Sequence, residues 1–239
     1  MNTHPAQLLC FLIFIANPFS FAYGENPDQQ TEEEIQTHAY NITHEFADAV
    51  NTDELNLRTQ QNILQNYNHI DRQRWIPTSL LQKALVYFDQ NKTKFRNKNY
   101  VTIVDLGARS NNYRFFLINM TNGAVERYRT THGEGSDVNN DGFAESFGNI
   151  PNSKKSSLGF VRTGEIYSGS FGRSLRLDGL STTNSNIRRR AVVFHGWEYT
   201  REANQIQPRS WGCITMDTTL KDAVISKIAN GSFMLVDTP

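Results

Sequence analysis

The spacing of apolar residues along this chain changes near residue 95. Upstream, the recurrences are helical. Leu57, Ile63, Leu64 and Tyr67 give a weak stripe across 40–70. Pro77-Thr78-Ser79 then opens a clearer helix, with Leu81, Leu85 and Phe88 at i, i+4 and i+7, and Asn91-Lys92-Thr93-Lys94 closes it. One stripe per helix cannot bury itself, so the segment 40–95 is predicted to pack on the domain downstream of it. From Tyr100 onward the runs are short, β-branched and aromatic, and bounded by Gly, Asn and Ser. Val101–Val104, Tyr113–Ile118, Ala124–Thr131, Phe160–Thr163, Leu175–Leu177, Ala191–His195 and Ser232–Asp237 read as strands, with a turn at Thr121-Asn122-Gly123. One late helix interrupts them. Thr218 or Thr219 would cap it, Leu220, Val224, Ile225 and Ile228 line one face, and Gly231 ends it. Many short strands with one late helix predict a mainly β fold with α decoration, as a sandwich or closed barrel, preceded by a small helical segment.

Composition refines the ends of this picture. Residues 8–16, Leu-Leu-Cys-Phe-Leu-Ile-Phe-Ile-Ala, form an apolar run of signal-peptide length, too short to span a bilayer as a helix. Ser20-Phe21-Ala22 offers small residues at a cleavage site, so 1–22 is expected to be a signal peptide and the mature protein to be exported, to the periplasm or cell envelope. No other segment is apolar enough to cross a membrane. Residues 23–39 are polar and acidic and read as a flexible leader, leaving 40–95 as a helical segment and 96–239 as one main domain. Lys plus Arg and Asp plus Glu each number 24, so net charge is zero and nothing suggests a grip on nucleic acid. Arg188-Arg189-Arg190 reads as a solvated basic cluster at the start of a strand.

The chemistry concentrates in Val192–Tyr199 and Arg209–Met216. An apolar run ends in His195-Gly196, and Cys213 follows eighteen positions later behind Gly212. The other cysteine, Cys10, falls in the signal segment, so the mature chain is left with one thiol and no internal disulfide. On residue types alone Cys213 reads either as an inert buried thiol or as a nucleophile with His195 as base, His132 being the alternative base. The N–H groups of Gly212 and Cys213 are candidates for stabilising an oxyanion. A structural zinc site is not expected, since one cysteine remains and no His-x₃₋₅-His cluster accompanies it. Asp137, Asn139, Asp141 and Glu145 occupy positions 1, 3, 5 and 9 of a calcium-loop pattern with Gly142 at 6, but Gly148 stands where a bidentate Glu belongs. A hairpin tip is the expected reading, and no metal or other cofactor is expected.

His195-Gly196 followed by Ser210-Trp211-Gly212-Cys213 resembles the L,D-transpeptidase signature, in which His-Gly precedes a Ser/Thr-x-Gly-Cys element. Thr131-His132-Gly133, Ser146–Asn149, Ser156–Phe160, Thr163-Gly164-Glu165 and Ser174–Gly179 extend the likeness. Together they resemble the murein L,D-transpeptidase catalytic-domain family, a divergent branch related to the YkuD-type enzymes, over roughly 101–239. The resemblance implies Cys213 as nucleophile and His195 as its base, with the Gly196 carbonyl orienting the imidazole. It places Ser210 and Arg209 beside the pocket. Where the main pattern has His before Gly-Cys, this chain has Trp211, read as a pocket wall or as a core aromatic. The implied partner is the peptidoglycan stem peptide, acted on by a monomer without a cofactor. Trimming hydrolysis and catalytically silent wall binding are the rival functions.

Overall fold

In this computed structural model residues 30–239 are described. The expected signal peptide lies outside the described residues. Helix α1 spans Glu32–Glu45, α2 Leu57–Gln65, α3 Thr78–Asn91 and α4 Lys221–Ile228. The strands are β1 Tyr100–Asp105, β2 Phe115–Asn119, β3 Val125–Tyr128, β4 His132–Gly133, β5 Gly159–Gly169, β6 Gly172–Gly179, β7 Val193–Gly196, β8 Arg209–Ser210, β9 Ile214–Met216 and β10 Phe233–Asp237. The fold is mostly β with four helices among the described residues.

Eight strands form one sheet in the order β3-β2-β1-β10-β5-β6-β7-β9, and β4 pairs with β8 in a separate two-residue ladder. The sheet is mainly antiparallel, with parallel pairs at β1·β10 and β7·β9. Its ends are rolled towards each other. Phe115 on β2 stacks on Phe194 on β7 with ring centroids 5.5 Å apart, although five strand steps separate them. In a flat sheet those steps would span roughly 24 Å, at about 4.8 Å per strand. The expected sandwich or closed barrel is thus realised as a single rolled sheet.

Alternation along the central strands gives two cores. Val101 and Ile103 of β1, Phe116 and Ile118 of β2, and Phe233 and Leu235 of β10 pack against Leu80, Ala84 and Phe88 of α3. Val104, Leu117, Met234 and Val236 face the inside of the roll, where Val224, Ile225 and Ile228 of α4 join Phe194, Ile214 and Met216. Strands buried on both faces explain why the sequence shows apolar runs there rather than strict alternation. Helix α3 packs on the sheet as its stripe requires, through a face wider than predicted, with Leu80 rather than Leu81 at its centre.

Two local expectations change. Helix α1 begins at Glu32, inside the segment read as a flexible leader. Thr31 and Glu34 form a reciprocal capping box (Glu34 N–H to Thr31 Oγ1 3.2 Å, Thr31 N–H to Glu34 Oε2 2.8 Å), and three acidic residues sit at the positive end of the helix. The helix is fastened by His38–Asp178 at 2.8 Å and by a Glu45–Arg162 pair. The start of α4 is not capped by Thr218 or Thr219. Asp217 Oδ1 instead accepts from the Thr219 N–H and hydroxyl at 2.9 and 2.8 Å, while Gly231 follows the helix with a φ of +97°.

Candidate active site

The site begins with the pairing of β7 and β9. Their parallel register sets Phe194 beside Ile214 and His195 beside Thr215. Phe194 and Ile214 belong to the inner core, so alternation turns His195 and Thr215 to the opposite face. Cys213 directly precedes β9, and the same alternation assigns it to the face of Thr215 and His195. The chain segments that sequence separates by eighteen residues are therefore neighbours.

His195 is buried, and its Nδ1 lies 2.9 Å from the Gly196 carbonyl oxygen. A carbonyl only accepts, so Nδ1 carries the proton and Nε2 is the basic nitrogen of the neutral ring. The Gly196 carbonyl is thus the group that holds the imidazole at Nδ1. The ring of Phe171 stacks on the imidazole with centroids 4.0 Å apart and planes 20° from parallel. Phe171 sits at the tip of the β5–β6 hairpin, between Gly169 and Gly172, and is partly exposed. Sequence reading passed over it, yet a large aromatic at a glycine-flanked hairpin tip is unusual enough to have been a signal.

Cys213 is half-buried and forms no disulfide among the described residues. Its Sγ lies 3.6 Å from the Ala191 carbonyl. Gly212 has a φ of +114°, and a Cβ there would stand 2.8 Å from the Lys155 carbonyl oxygen, so both backbone and space demand glycine. Its N–H, however, donates to Ser210 Oγ at 3.1 Å. Gly212 therefore shapes the turn that presents Cys213, and the oxyanion role expected of its N–H is not what this geometry offers.

Ser210 likewise serves the scaffold. Its Oγ donates to the Cys213 carbonyl at 2.7 Å and approaches the His132 carbonyl at 3.3 Å. Arg209 runs alongside β4 and donates to the Asp137 carbonyl, so its guanidinium is committed to the 137–142 loop rather than to the thiol. Trp211 is 72% exposed, with Lys154 Nζ 4.9 Å from its ring centroid. That excludes the core-aromatic reading and leaves Trp211 as part of the rim. A hydroxyl chain that sequence did not suggest fixes the backbone at Cys213. Thr200 Oγ1 and Thr131 Oγ1 lie 2.6 and 2.9 Å from Thr215 Oγ1, and Thr131 Oγ1 reaches the Cys213 carbonyl at 3.3 Å.

Behind these residues lies a second, closed cluster. Arg114 donates to His132 Nδ1 at 2.9 Å, so His132 Nε2 carries the proton and donates to Asp137 Oδ2 at 3.0 Å. Asp137 also accepts from the N–H groups of Asp141 and Gly142, both at 3.1 Å. Burial, together with the Arg114 charge, pushes the His132 imidazole down to about 4. Burial works to raise the Asp137 carboxyl, but His132 and the two N–H groups outweigh it and hold it low. His132 is thus locked in the scaffold and does not serve as the alternative base. Asp137, first residue of the calcium-loop pattern, spends its oxygens on His132 and the loop backbone. Among the described residues no group of three or more His, Cys, Asp or Glu is arranged to hold a metal.

The basic cluster divides. Arg188 is buried, with Nε 2.7 Å from Asp178 and Nη1 2.8 Å from Glu165, and Arg189 pairs with Glu32 on α1 at 3.4 Å. Arg190 turns the other way, into the 148–157 strip. It is therefore not the uniformly solvated patch that the sequence suggested. A cleft between α1 and this segment, lined by His38, Asp178 and Arg188, is separate from Cys213 and holds ion pairs rather than a nucleophile.

A rolled, mainly β domain carrying a thiol and an oriented imidazole at the ends of two parallel strands defines a cysteine–histidine site on a β scaffold. The L,D-transpeptidase catalytic domain family matches residues 72–236, and the chain belongs to that family. The match starts upstream of α3, which agrees with the packing of that helix on the sheet. No curated protein matches the chain. Similar solved structures include the helical cell shape determining protein Pgp2 from Campylobacter jejuni, at 9% identity, a TM-score of 0.40 and coverage of 60% of this chain and 48% of that one. An L,D-transpeptidase from Mycobacterium smegmatis aligns at 10% identity and a TM-score of 0.38, covering 58% of each chain. An L,D-transpeptidase from Stackebrandtia nassauensis aligns at 9% and 0.34, covering 84% of this chain and 92% of that one. The chain thus spans about half to three-fifths of the length of the first two, and at these identities the likeness concerns the fold alone. Among the described residues no helix is long and apolar enough to cross a membrane.

Proposed function

We propose that the protein is an exported cysteine acyltransferase that cross-links peptidoglycan stem peptides by L,D-transpeptidation. The observation that carries this reading is the 2.9 Å contact between His195 Nδ1 and the Gly196 carbonyl. It fixes the tautomer in which Nε2 is basic, on a strand paired with the one that Cys213 introduces. A buried neutral base beside a thiol is the minimum for nucleophilic acyl transfer.

In the reaction His195 Nε2 takes the Cys213 proton, and the thiolate attacks the carbonyl joining an L-centred to a D-centred residue. The N–H of Cys213 is the oxyanion donor in this scheme, since that of Gly212 is engaged by Ser210. His195 returns the proton to the departing amine of the D-residue, leaving a thioester on Cys213. The amine of a second stem attacks the thioester, gives its proton to His195 and forms the cross-link; water in its place would give trimming.

The test is incubation of the mature protein with purified tetrapeptide muropeptides, read by mass spectrometry. Cross-linked dimers and a thioester adduct, both absent in Cys213→Ala, are expected. Trimmed monomers alone would make the protein a carboxypeptidase. Unchanged muropeptides would favour a wall-binding role.

A further inference from the structure

We infer that Arg190 is a positioning residue for the nucleophile, a partly buried cation that holds Cys213 in its thiolate form alongside His195. This inference rests on the acyl-transfer reading of Cys213. Arg190 and Ala191 lie against the Gly212-Cys213 turn from one side. Arg190 Nη2 stands 3.3 Å from the position a Gly212 Cβ would take, and the next residue's carbonyl is the 3.6 Å partner of Cys213 Sγ. The guanidinium is anchored, but only by neutral acceptors. Nη1 donates to the Gly148 carbonyl at 2.9 Å and Ser157 Oγ at 2.6 Å; Nη2 donates to the Lys155 carbonyl at 2.6 Å and Ser153 Oγ at 3.4 Å. Its Nε is buried and has no hydrogen-bond partner. Unlike Arg188 and Arg189, Arg190 has no ion pair among the described residues.

A guanidinium drawn partly out of water without a carboxylate carries a desolvation cost that a nearby anion offsets. The thiolate of Cys213 is the anion this arrangement provides. Burial lowers the Arg190 pKa, and the charge of Cys213 acts in the opposite direction. Thiolate character in turn is what makes a cysteine reactive near neutral pH, and a fixed neighbouring cation is one of the ordinary ways to supply it. The anchoring contacts keep the guanidinium from following the substrate, so its field acts on the nucleophile rather than on the ligand.

The measurement is the rate of Cys213 alkylation by iodoacetamide against pH, on the mature chain, for the parent and three variants. In Arg190→Gln the midpoint should rise by about one pH unit or more, slowing alkylation at pH 7 about tenfold. Arg190→Lys keeps the charge and should hold the midpoint within about half of that rise. Ser157→Ala removes one anchoring bond and no charge, so its midpoint should stay at the parent value. An unchanged midpoint in folded Arg190→Gln would overturn the inference, as would a rise in Ser157→Ala equal to that in Arg190→Gln. If Arg190→Gln does not fold, a Lys variant that folds but titrates like an unperturbed thiol, at about 8.5, overturns it equally. Turnover retained by Cys213→Ala would sink the acyl-transfer reading and leave these midpoints untouched, so the two failures are distinguishable.

Discussion

His132-Gly133 and His195-Gly196 are the same dipeptide on short strands, and both imidazoles are buried. Their surroundings set opposite behaviour. His132 is bonded at both nitrogens to charged groups, Arg114 and Asp137, and packed among loop backbone. His195 is held at Nδ1 by a carbonyl, which selects a tautomer without adding charge, and its face is covered by a partly exposed aromatic. A histidine bonded to a guanidinium on one side and a carboxylate on the other has both ring nitrogens engaged. One anchored at Nδ1 by a carbonyl is held in the tautomer that puts the lone pair on Nε2. Burial alone does not separate the two histidines; their hydrogen-bond partners do.

The largest effect that could break this contrast is at the nucleophile. Cys213→Ala should lower cross-linking by about 10³-fold or more while leaving the melting temperature near the parent's. Mass spectrometry of muropeptide products checks it.

The two histidines should then diverge. His195→Ala is expected to cost about 10²–10⁴-fold in turnover with little change in stability, as the loss of a general base does. His132→Ala should do the reverse. It strands a buried carboxylate and a buried guanidinium, which costs on the order of 2–4 kcal/mol of stability in thermal or urea unfolding. If His132→Ala were stable but inactive, the assignment of roles would be inverted.

Acid sharpens the same contrast. The folded-state pKa of His132, about 4, lies below the unfolded value of about 6.5. The unfolded chain therefore binds the extra proton first as pH falls. Stability is fully present above about 6.5 and is lost progressively down to about 4, and the low-lying Asp137 adds a loss of the same sign at lower pH. Melting temperature followed from pH 7 to pH 4 should show this slope in the parent and a flatter one in His132→Gln.

The smallest effect is at the aromatic cover. Phe171→Ala should reduce kcat/KM about 2- to 10-fold, in line with the worth of one ring contact, and leave Cys213 reactive. A loss as large as that of His195→Ala would make Phe171 part of the substrate site rather than a cover for the base.

Much of this molecule is legible without coordinates. Residues that face a core repeat at the period of their element, so Val101–Val104, Tyr113–Ile118, Ser232–Asp237 and α3 announce themselves. A cysteine behind a glycine, with His-Gly upstream, marks the candidate chemistry by residue type. The two-residue ladder β4·β8 and the three-residue β9 do not show, because elements so short carry no period and exist only through their partners. The misread start of α1 has another cause: a capping box and paired charges stabilise a helix whose composition looks disordered.

Residue order alone carries the β character of the domain, the helical stripe that seals one face of its sheet, and the candidate thiol and imidazole. Which groups the side chains meet is set by the fold: His132 meets Arg114 and Asp137, Ser210 and Arg209 donate to the carbonyls of Cys213 and Asp137, and Arg190 enters the 148–157 strip while Arg188 and Arg189 pair with carboxylates. These outcomes depend on long-range pairings such as β7 with β9 and β4 with β8. Residue type states what a side chain is able to do, but its partners, brought from dozens of positions away, fix its charge, its tautomer and its hydrogen bonds.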